Sequence, residues 1–359
     1  MEKNMSGVNR NQLLKTLNLA KPAIYMKDYL PILSHFLFSS QDESVTAYND
    51  IQAINVGCDA DIDGCVPAEL LIKTLSSLSG DTVLFTKHDG HLLVTSGKSK
   101  IKLPVLPAED FPAVLPVTSK LLGKFSVTTE MITGITACLV AVGTDSDRPA
   151  LMGVTLSYFN ENEIALYSTD NVSISRYTLA SDLELPADAP IILPTDFCRQ
   201  LIALAKLSDD IEVGIYDGAL VARFDNAAVL FTKTLVDVNP MDFDEVVAKY
   251  VSADKLKLLD IPEAFESSFE RALLIQSNEP YKSTVVTVKN KTLMIESTCS
   301  KGEVTDEMAF AGEDVNFAID PALVKRISSM TDKVAMTRKV MVFTNKDQSL
   351  LHLIAHRSV

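Results

Sequence analysis

No two cysteines of this 359-residue chain form a C-x-x-C pair. The five present, Cys58, Cys65, Cys138, Cys198 and Cys299, are scattered and odd in number, which argues against a disulfide scaffold and fits reduced thiols buried as small apolar residues. No run approaches the roughly 18 uncharged apolar residues that a membrane span needs. The opening Met1-Glu2-Lys3-Asn4 lacks the basic and apolar blocks of a secretory signal, so a soluble, cytoplasmic protein with no membrane partner is expected. Catalytic signatures are missing too. There is no G-x-x-x-x-G-K-[ST] loop, no G-x-G-x-x-G after a strand and no G-x-S-x-G elbow. Carboxylates are plentiful, but none stands beside a basic partner at a spacing that assigns acid and base roles. The chain therefore reads as a binding protein rather than an enzyme, without catalytic residues and without a cofactor.

Two patterns come near metal chemistry and fail on spacing. Asp59-Ala60-Asp61-Ile62-Asp63-Gly64 copies the first half of a calcium loop, but Leu70 occupies the position that needs a bidentate Glu. A strand and a helix flank it, so it reads as an acidic turn. His352 and His356 stand four apart, which on a helix would place both imidazoles on one face. Leu350 to Ile354 alternates like a strand, where four residues span about 13 Å. No metal site is expected.

What the chain does have is an internal repeat. Val66-Pro67-Ala68-Glu69-Leu70-Leu71, Leu193-Pro194-Thr195-Asp196-Phe197-Cys198 and Asp320-Pro321-Ala322-Leu323-Val324 open alike, and their prolines lie 127 residues apart, twice. Each proline precedes an apolar stripe at helical spacing: Leu70, Leu71, Leu75 and Leu78, then Phe197, Leu201 and Leu204, then Leu323, Val324, Ile327 and Met330. Matching those stripes sets Asp320, not Pro321, opposite Pro67, which slips the last period by one. A triplicated unit of about 125 residues survives the slip. It divides the chain into domains 1–123, 124–249 and 250–359.

Another helix precedes each proline helix, over Asn9 to Ala20, Thr129 to Val142 and Ala253 to Leu274, with Pro262 splitting the last into two pieces. Strand patterns fill the rest: Ile32 to Phe38, Ser44 to Tyr48, Ile51 to Val56, Gly153 to Phe159, Glu163 to Ser168, Ser173 to Leu179, Thr284 to Lys289, Thr292 to Ser297 and Asp306 to Ala311. Hairpins around Asp89-Gly90, Asp217-Gly218 and Asn345-Lys346-Asp347 close each unit. The expected fold is α+β, three similar domains each with two helices on antiparallel sheets. Ser119 to Lys124 and Val246 to Val251 read as short links.

The net charge of −14, from 33 Lys and Arg against 47 Asp and Glu, argues at first against nucleic acid. Its distribution argues otherwise. Asn9 to Lys21 carries Arg10, Lys15 and Lys21 with no acid, and Pro321 to Lys333 carries Lys325, Arg326 and Lys333 against Asp332 alone. Acids crowd into turns and strand ends, which permits a basic surface on an acidic body.

Ser96-Gly97-Lys98-Ser99-Lys100-Ile101-Lys102-Leu103-Pro104-Val105-Leu106-Pro107-Ala108-Glu109-Asp110-Phe111-Pro112 resembles the end of the first domain in the bacterial DNA polymerase III beta sliding clamp family. Leu30-Pro31-Ile32-Leu33-Ser34, Asp147-Arg148-Pro149-Ala150-Leu151-Met152-Gly153-Val154, Ser168-Thr169-Asp170 and Ser277-Asn278-Glu279 extend the resemblance in order over nearly the whole chain. It implies the DNA-clamp fold and a head-to-tail homodimer ring of six domains. Such a ring is placed by a clamp loader around duplex DNA, without regard to sequence, and tethers a replicative DNA polymerase as its processivity factor. Arg10, Lys15, Lys73, Lys206, Lys325 and Arg326 would face phosphates from the helices, joined by Lys27 in the loop before Leu30. Phe111, Leu274 and Ile275 match dimer-interface positions, with core packing inside one subunit as the competing account for them.

By the same resemblance, Leu151, Thr169, Ile174, Pro240, Val246 and the C-terminal residues Ile354 and Arg357 match a pocket that takes short peptides from partners. Here the chain departs from the family. Asn171-Val172-Ser173 replaces the usual Gly-His-Arg, and the tail Ile354-Ala355-His356-Arg357-Ser358-Val359 lacks the usual Met-Pro-Met-Arg. That points to a clamp of a phage or other mobile element, or of a distant bacterium, with its own partner motif. Two alternatives are a repeat scaffold that never encircles DNA and a hydrolase or nucleotide-handling enzyme.

Overall fold

The computed structural model describes residues 7–25, 30–88, 90–112, 120–145, 147–180, 190–206, 208–224, 228–233, 242–250 and 256–357. Three stretches share one element order. The first runs β1 (Val8–Asn9), α1 (Arg10–Ala20), β2 (His35–Ser39), β3 (Ser44–Tyr48), β4 (Gln52–Gly57), β5 (Gly64–Pro67), α2 (Ala68–Ser77), β6 (Thr82–His88), β7 (His91–Ser96) and β8 (Ser99–Pro104). The second runs β9 (Leu121–Ser126), α3 (Thr129–Cys138), β10 (Gly153–Tyr158), β11 (Glu163–Thr169), β12 (Ser173–Ala180), β13 (Ile191–Pro194), α4 (Thr195–Leu204), β14 (Ile211–Tyr216), β15 (Ala219–Phe224) and β16 (Ala228–Lys233). After α5 (Phe243–Tyr250) the third follows: β17 (Leu259–Asp260), α6 (Phe265–Ile275), β18 (Thr284–Lys289), β19 (Thr292–Cys299), β20 (Gly302–Ala309), β21 (Val315–Ile319), α7 (Pro321–Ser328), β22 (Lys333–Met336), β23 (Val340–Thr344) and β24 (Leu350–Ala355).

The helix starts explain the one-residue slip of the repeat. α2, α4 and α7 begin after Pro67, Pro194 and Asp320, so the shared position is the residue before the helix, not the proline. In α7 the Asp320 carboxylate caps the helix by accepting from the Ala322 N–H at 2.8 Å, and Pro321, having no N–H to lose, occupies the first turn. Asn9 and Thr128 cap α1 and α3 in the same way, accepting from the N–H groups of Gln12 at 3.0 Å and Met131 at 3.1 Å.

The chain folds as two compact units, Met1–Val127 with Leu204–Thr234 and Thr128–Ala203 with Leu235–Val359. The first holds an antiparallel sheet of four strands, β1-β6-β7-β8, and one of eight, β5-β2-β3-β4-β16-β15-β14-β9. The second holds a sheet of eight, β13-β10-β11-β12-β24-β23-β22-β17, and one of four, β20-β19-β18-β21. Each eight-stranded sheet is thus two four-stranded halves from consecutive repeats, joined at β4–β16 and at β12–β24. Alternating strand residues fill the cores, and the helices bury their apolar stripes: Leu13 and Leu17 of α1, Leu71 and Leu75 of α2, Phe265 and Phe269 of α6, Val324 and Ile327 of α7.

Several expectations need correction. The stretch read as a link over Val246 to Val251 holds α5, whose Phe243 and Val247 are buried one turn apart. The first piece of the helix expected over Ala253 to Leu274 is not helical where it is described: Leu259–Asp260 pairs with β22, and the helix begins beyond Pro262 at Phe265. Proline removes an N–H and restrains the residue before it, so the strand stands before Pro262 and the helix after it. Likewise Pro31–Ser34 forms a 3₁₀ turn before β2, and Leu121 already belongs to β9. Among the described residues, no group of three His, Cys, Asp or Glu side chains could hold a metal, and no helix is long and apolar enough to cross a membrane.

Candidate functional site

One hollow that gathers several residues singled out in the sequence is a groove of about 170 Å³ in the second unit. Its floor is the β12–β24 seam, where Ile174 and Leu353 are directly opposed. Val340 and Ala355, opposed across β23–β24, extend it. One wall is the turn Thr169 to Ser173. There the Thr169 hydroxyl donates to the Ser173 carbonyl at 2.7 Å, and Asp170 Oδ1 accepts from the N–H of Val172 at 3.0 Å and of Ser173 at 2.6 Å. The other wall is α5, which presents Val246 and Tyr250. Among the described lining residues none is charged, and Val172 and Tyr250 stand 44% and 42% exposed at the rim. An uncharged hollow of this kind suits apolar side chains.

Three of the expected pocket residues, Thr169, Ile174 and Val246, meet here. Ile354 is fully buried on the other face of β24, because side chains alternate along a strand and Leu353 and Ala355 take the groove face. Leu151 is buried in a 3₁₀ turn, where its carbonyl accepts from the Gly143 N–H, and it does not line the groove. The Arg357 backbone pairs with Ala318. Pro240 lies outside the described residues. Tyr250, Val340 and Leu353 are lining residues that sequence reasoning missed, the period of two along β24 being the signal for Leu353, while Asn171, Val172 and Ala355 belong to the segments read there as departures from the family.

The basic residues are placed unevenly. Lys15 of α1, Lys206 beyond α4 and Arg326 of α7 are exposed. Lys73 pairs with Glu69 one turn back in α2 at 2.6 Å, and Lys325 of α7 reaches Glu270 of α6 at 2.7 Å. Arg10 is half-buried, its Nη1 donating to the Leu75 carbonyl near the end of α2 at 3.2 Å, where a cation complements the helix dipole. Lys27 lies outside the described residues.

Phe111 is buried within its own chain, whereas Leu274 is 74% exposed and Ile275 half-buried at the end of α6. Each small sheet ends in an open edge strand, β8 in the first unit and β20 in the second. Lys100 and Lys102 are exposed on β8, and Glu303 and Glu307 on β20. The histidines serve no common ligand: His352 Nδ1 is bonded to the Ser175 hydroxyl at 2.6 Å, and His356 stacks on Phe317 with ring centroids 4.0 Å apart.

Residues 6–116 match the family described as DNA polymerase III beta subunit, N-terminal domain. The beta sliding clamp of Pseudomonas aeruginosa is 28% identical over 312 residues, covering 84% of this chain and 82% of that one. That of Streptococcus pneumoniae is 23% identical and covers 97% of both. Over most of its length the chain is thus similar to beta sliding clamps, and its first domain matches their N-terminal domain family. Its clamp fold is equally plain in solved structures: the Bartonella birtlesii DnaN sliding clamp, crystallised bound to griselimycin, superposes with a TM-score of 0.86 at 18% identity over 98% of this chain and 99% of that one. A Pseudomonas aeruginosa clamp superposes at 0.83 with 21% identity over the same shares.

Proposed function

We infer that the protein is a DNA sliding clamp, a non-enzymatic processivity factor that closes around duplex DNA as a head-to-tail dimer and tethers a replicative polymerase through the groove beside α5. The observation that carries this reading is the pattern of sheet fusion. The third strand of each repeat's first half, β4 or β12, pairs with the last strand of the next repeat, β16 or β24. Two strands are left over: β20, the counterpart of β4 and β12, and β8, the counterpart of β16 and β24. Applied once more, the same rule pairs β20 with β8 of a second copy, and twice applied it closes a ring of six repeats at 1–123, 124–249 and 250–359 in each chain.

Charge supports that pairing. Lys100 and Lys102 on one edge would meet Glu303 and Glu307 on the other, whereas β8 with β8 or β20 with β20 would bring like charges together. Leu274 and Ile275 would add apolar area beside the seam, and Phe111 would support β8 from its own core. Lys15, Lys206, Lys325 and Arg326, with Arg10, Lys27 and Lys73, would meet phosphates weakly enough to slide, ring closure supplying retention. A clamp loader to open the ring and a cytoplasmic setting follow from the same reading.

The test is solution mass. Wild-type protein should sediment at twice the 39.2 kDa of one chain. Lys100→Glu with Lys102→Glu should shift it to the monomer, and adding Glu303→Lys and Glu307→Lys should restore the dimer. A double variant that stays dimeric, or a quadruple variant that stays monomeric, contradicts this pairing.

A further inference from the structure

We propose that Tyr167 is a positioning residue for the groove: it holds α5 in place and so sets the distance between the groove's two walls. This rests on the reading of the groove as a partner-peptide site. α5 has eight residues, too few to persist on helical propensity alone, so tertiary contacts must hold it. The described ones lie at both ends of the helix. Val247 enters the apolar cluster of Ala335, Val340, Val342 and Leu353. At the other end, among the described residues, Phe243 packs with Ala165 and Ile174 around Tyr167 of β11. Its ring stacks on Phe243 with centroids 4.9 Å apart and planes 13° from parallel, and its hydroxyl donates to Asp244 Oδ1 at 2.7 Å.

Tyr167 is only 2% exposed, and burial together with the adjacent Asp244 carboxylate pushes its pKa up, so it remains a neutral donor at every physiological pH. The two walls are therefore built differently. The Thr169 to Ser173 turn is fixed by hydrogen bonds within itself, with Asn171 in the left-handed region at φ 70°. α5 caps its own start, Asp242 Oδ1 accepting from the Glu245 N–H at 2.9 Å, and its seat on the sheet is set by Tyr167 acting on the residues just before Val246. The same helix turns Val246 and Tyr250 toward the groove. A small release of the N-terminal turn would move both lining side chains together while leaving the floor, Ile174 and Leu353, in the sheet.

The decisive experiment is amide hydrogen exchange on the full-length protein. In Tyr167→Phe, which keeps the stacking and loses the hydrogen bond, exchange at the α5 amides of Val247 to Tyr250 should rise about tenfold or more, the size of a hydrogen bond to a charged acceptor. Asp244→Ala should do the same, while Asp244→Asn, which still offers an oxygen to the Tyr hydroxyl, should stay near wild type. Exchange at β11, β12 and β24 should not change. Acceleration spread evenly over the sheet, or none at α5, overturns the proposal.

A titration with the acetylated, amidated dipeptide Leu-Phe, followed by NMR, separates this from the groove reading. Shifts at Ile174, Val246, Tyr250 and Leu353 in wild type, weakened in Tyr167→Phe, support both. Shifts of equal strength in the two proteins overturn the positioning role. No shifts in wild type count against the groove reading alone, and the exchange data still decide the role of Tyr167.

Discussion

His352 is a fully buried imidazole in β24, bonded through Nδ1 to Ser175, whose hydroxyl also reaches the Ala137 carbonyl at 3.3 Å. Burial lowers its pKa to about 3, and Nε2 has no partner among the described residues. The unfolded chain takes up a proton near pH 6.5 that the folded chain refuses until about pH 3, so between these values stability falls as pH falls, by about 1.4 kcal/mol per unit. His352→Gln should remove this component. Urea unfolding at pH 6.5 and pH 5 should show wild type losing about 2 kcal/mol more than the variant. Equal losses would mean that the imidazole is hydrated or charged in the fold. None of this was legible in the sequence, where His352 and His356 raised only a zinc question. Alternation placed His352 in a strand, but its bond to Ser175, 177 positions away, depends on a seam between repeats that no local pattern encodes.

At the scale of elements, the seven helices among the described residues differ in how far local sequence determines them. α1, α3 and α7 carry their own caps and apolar stripes, and they stand where the periodicity put them. α5 was hidden because it is short and because the Phe243, Val246, Val247 and Tyr250 spacing spans only two turns, which a reading for longer helices passes over. The strand Leu259–Asp260 was hidden for a different reason: its two residues exist as strand only through β22. Packing can also override propensity. Gly134 sits mid-helix in α3, where Ala would be favoured by about 1 kcal/mol, yet a Cβ there would lie 2.6 Å from Tyr177 Cδ1 and 2.7 Å from Leu166 Cδ1. Gly134→Ala should therefore destabilise the protein, with overpacking of about 1–3 kcal/mol outweighing the helical gain. Thermal unfolding checks this, and a raised midpoint would show that Tyr177 yields freely.

At the scale of the whole molecule, the repeat was the most legible feature and the fusion of its sheets the least. Helix and strand periods gave three similar units, but which edge meets which is a matter of long-range pairing that no local period encodes. Phe111 is buried in its own chain, and the exposed edge lies a few positions earlier on β8. If β8 and β20 of two copies close a ring, retention on DNA must depend on the topology of the DNA and not on affinity. The measurement that tests this most directly places the protein on a nicked circular plasmid with a clamp loader and follows it through gel filtration before and after a single double-strand cut. Elution with the intact circle and release on linearisation is the predicted result; retention on linear DNA with free ends would contradict it.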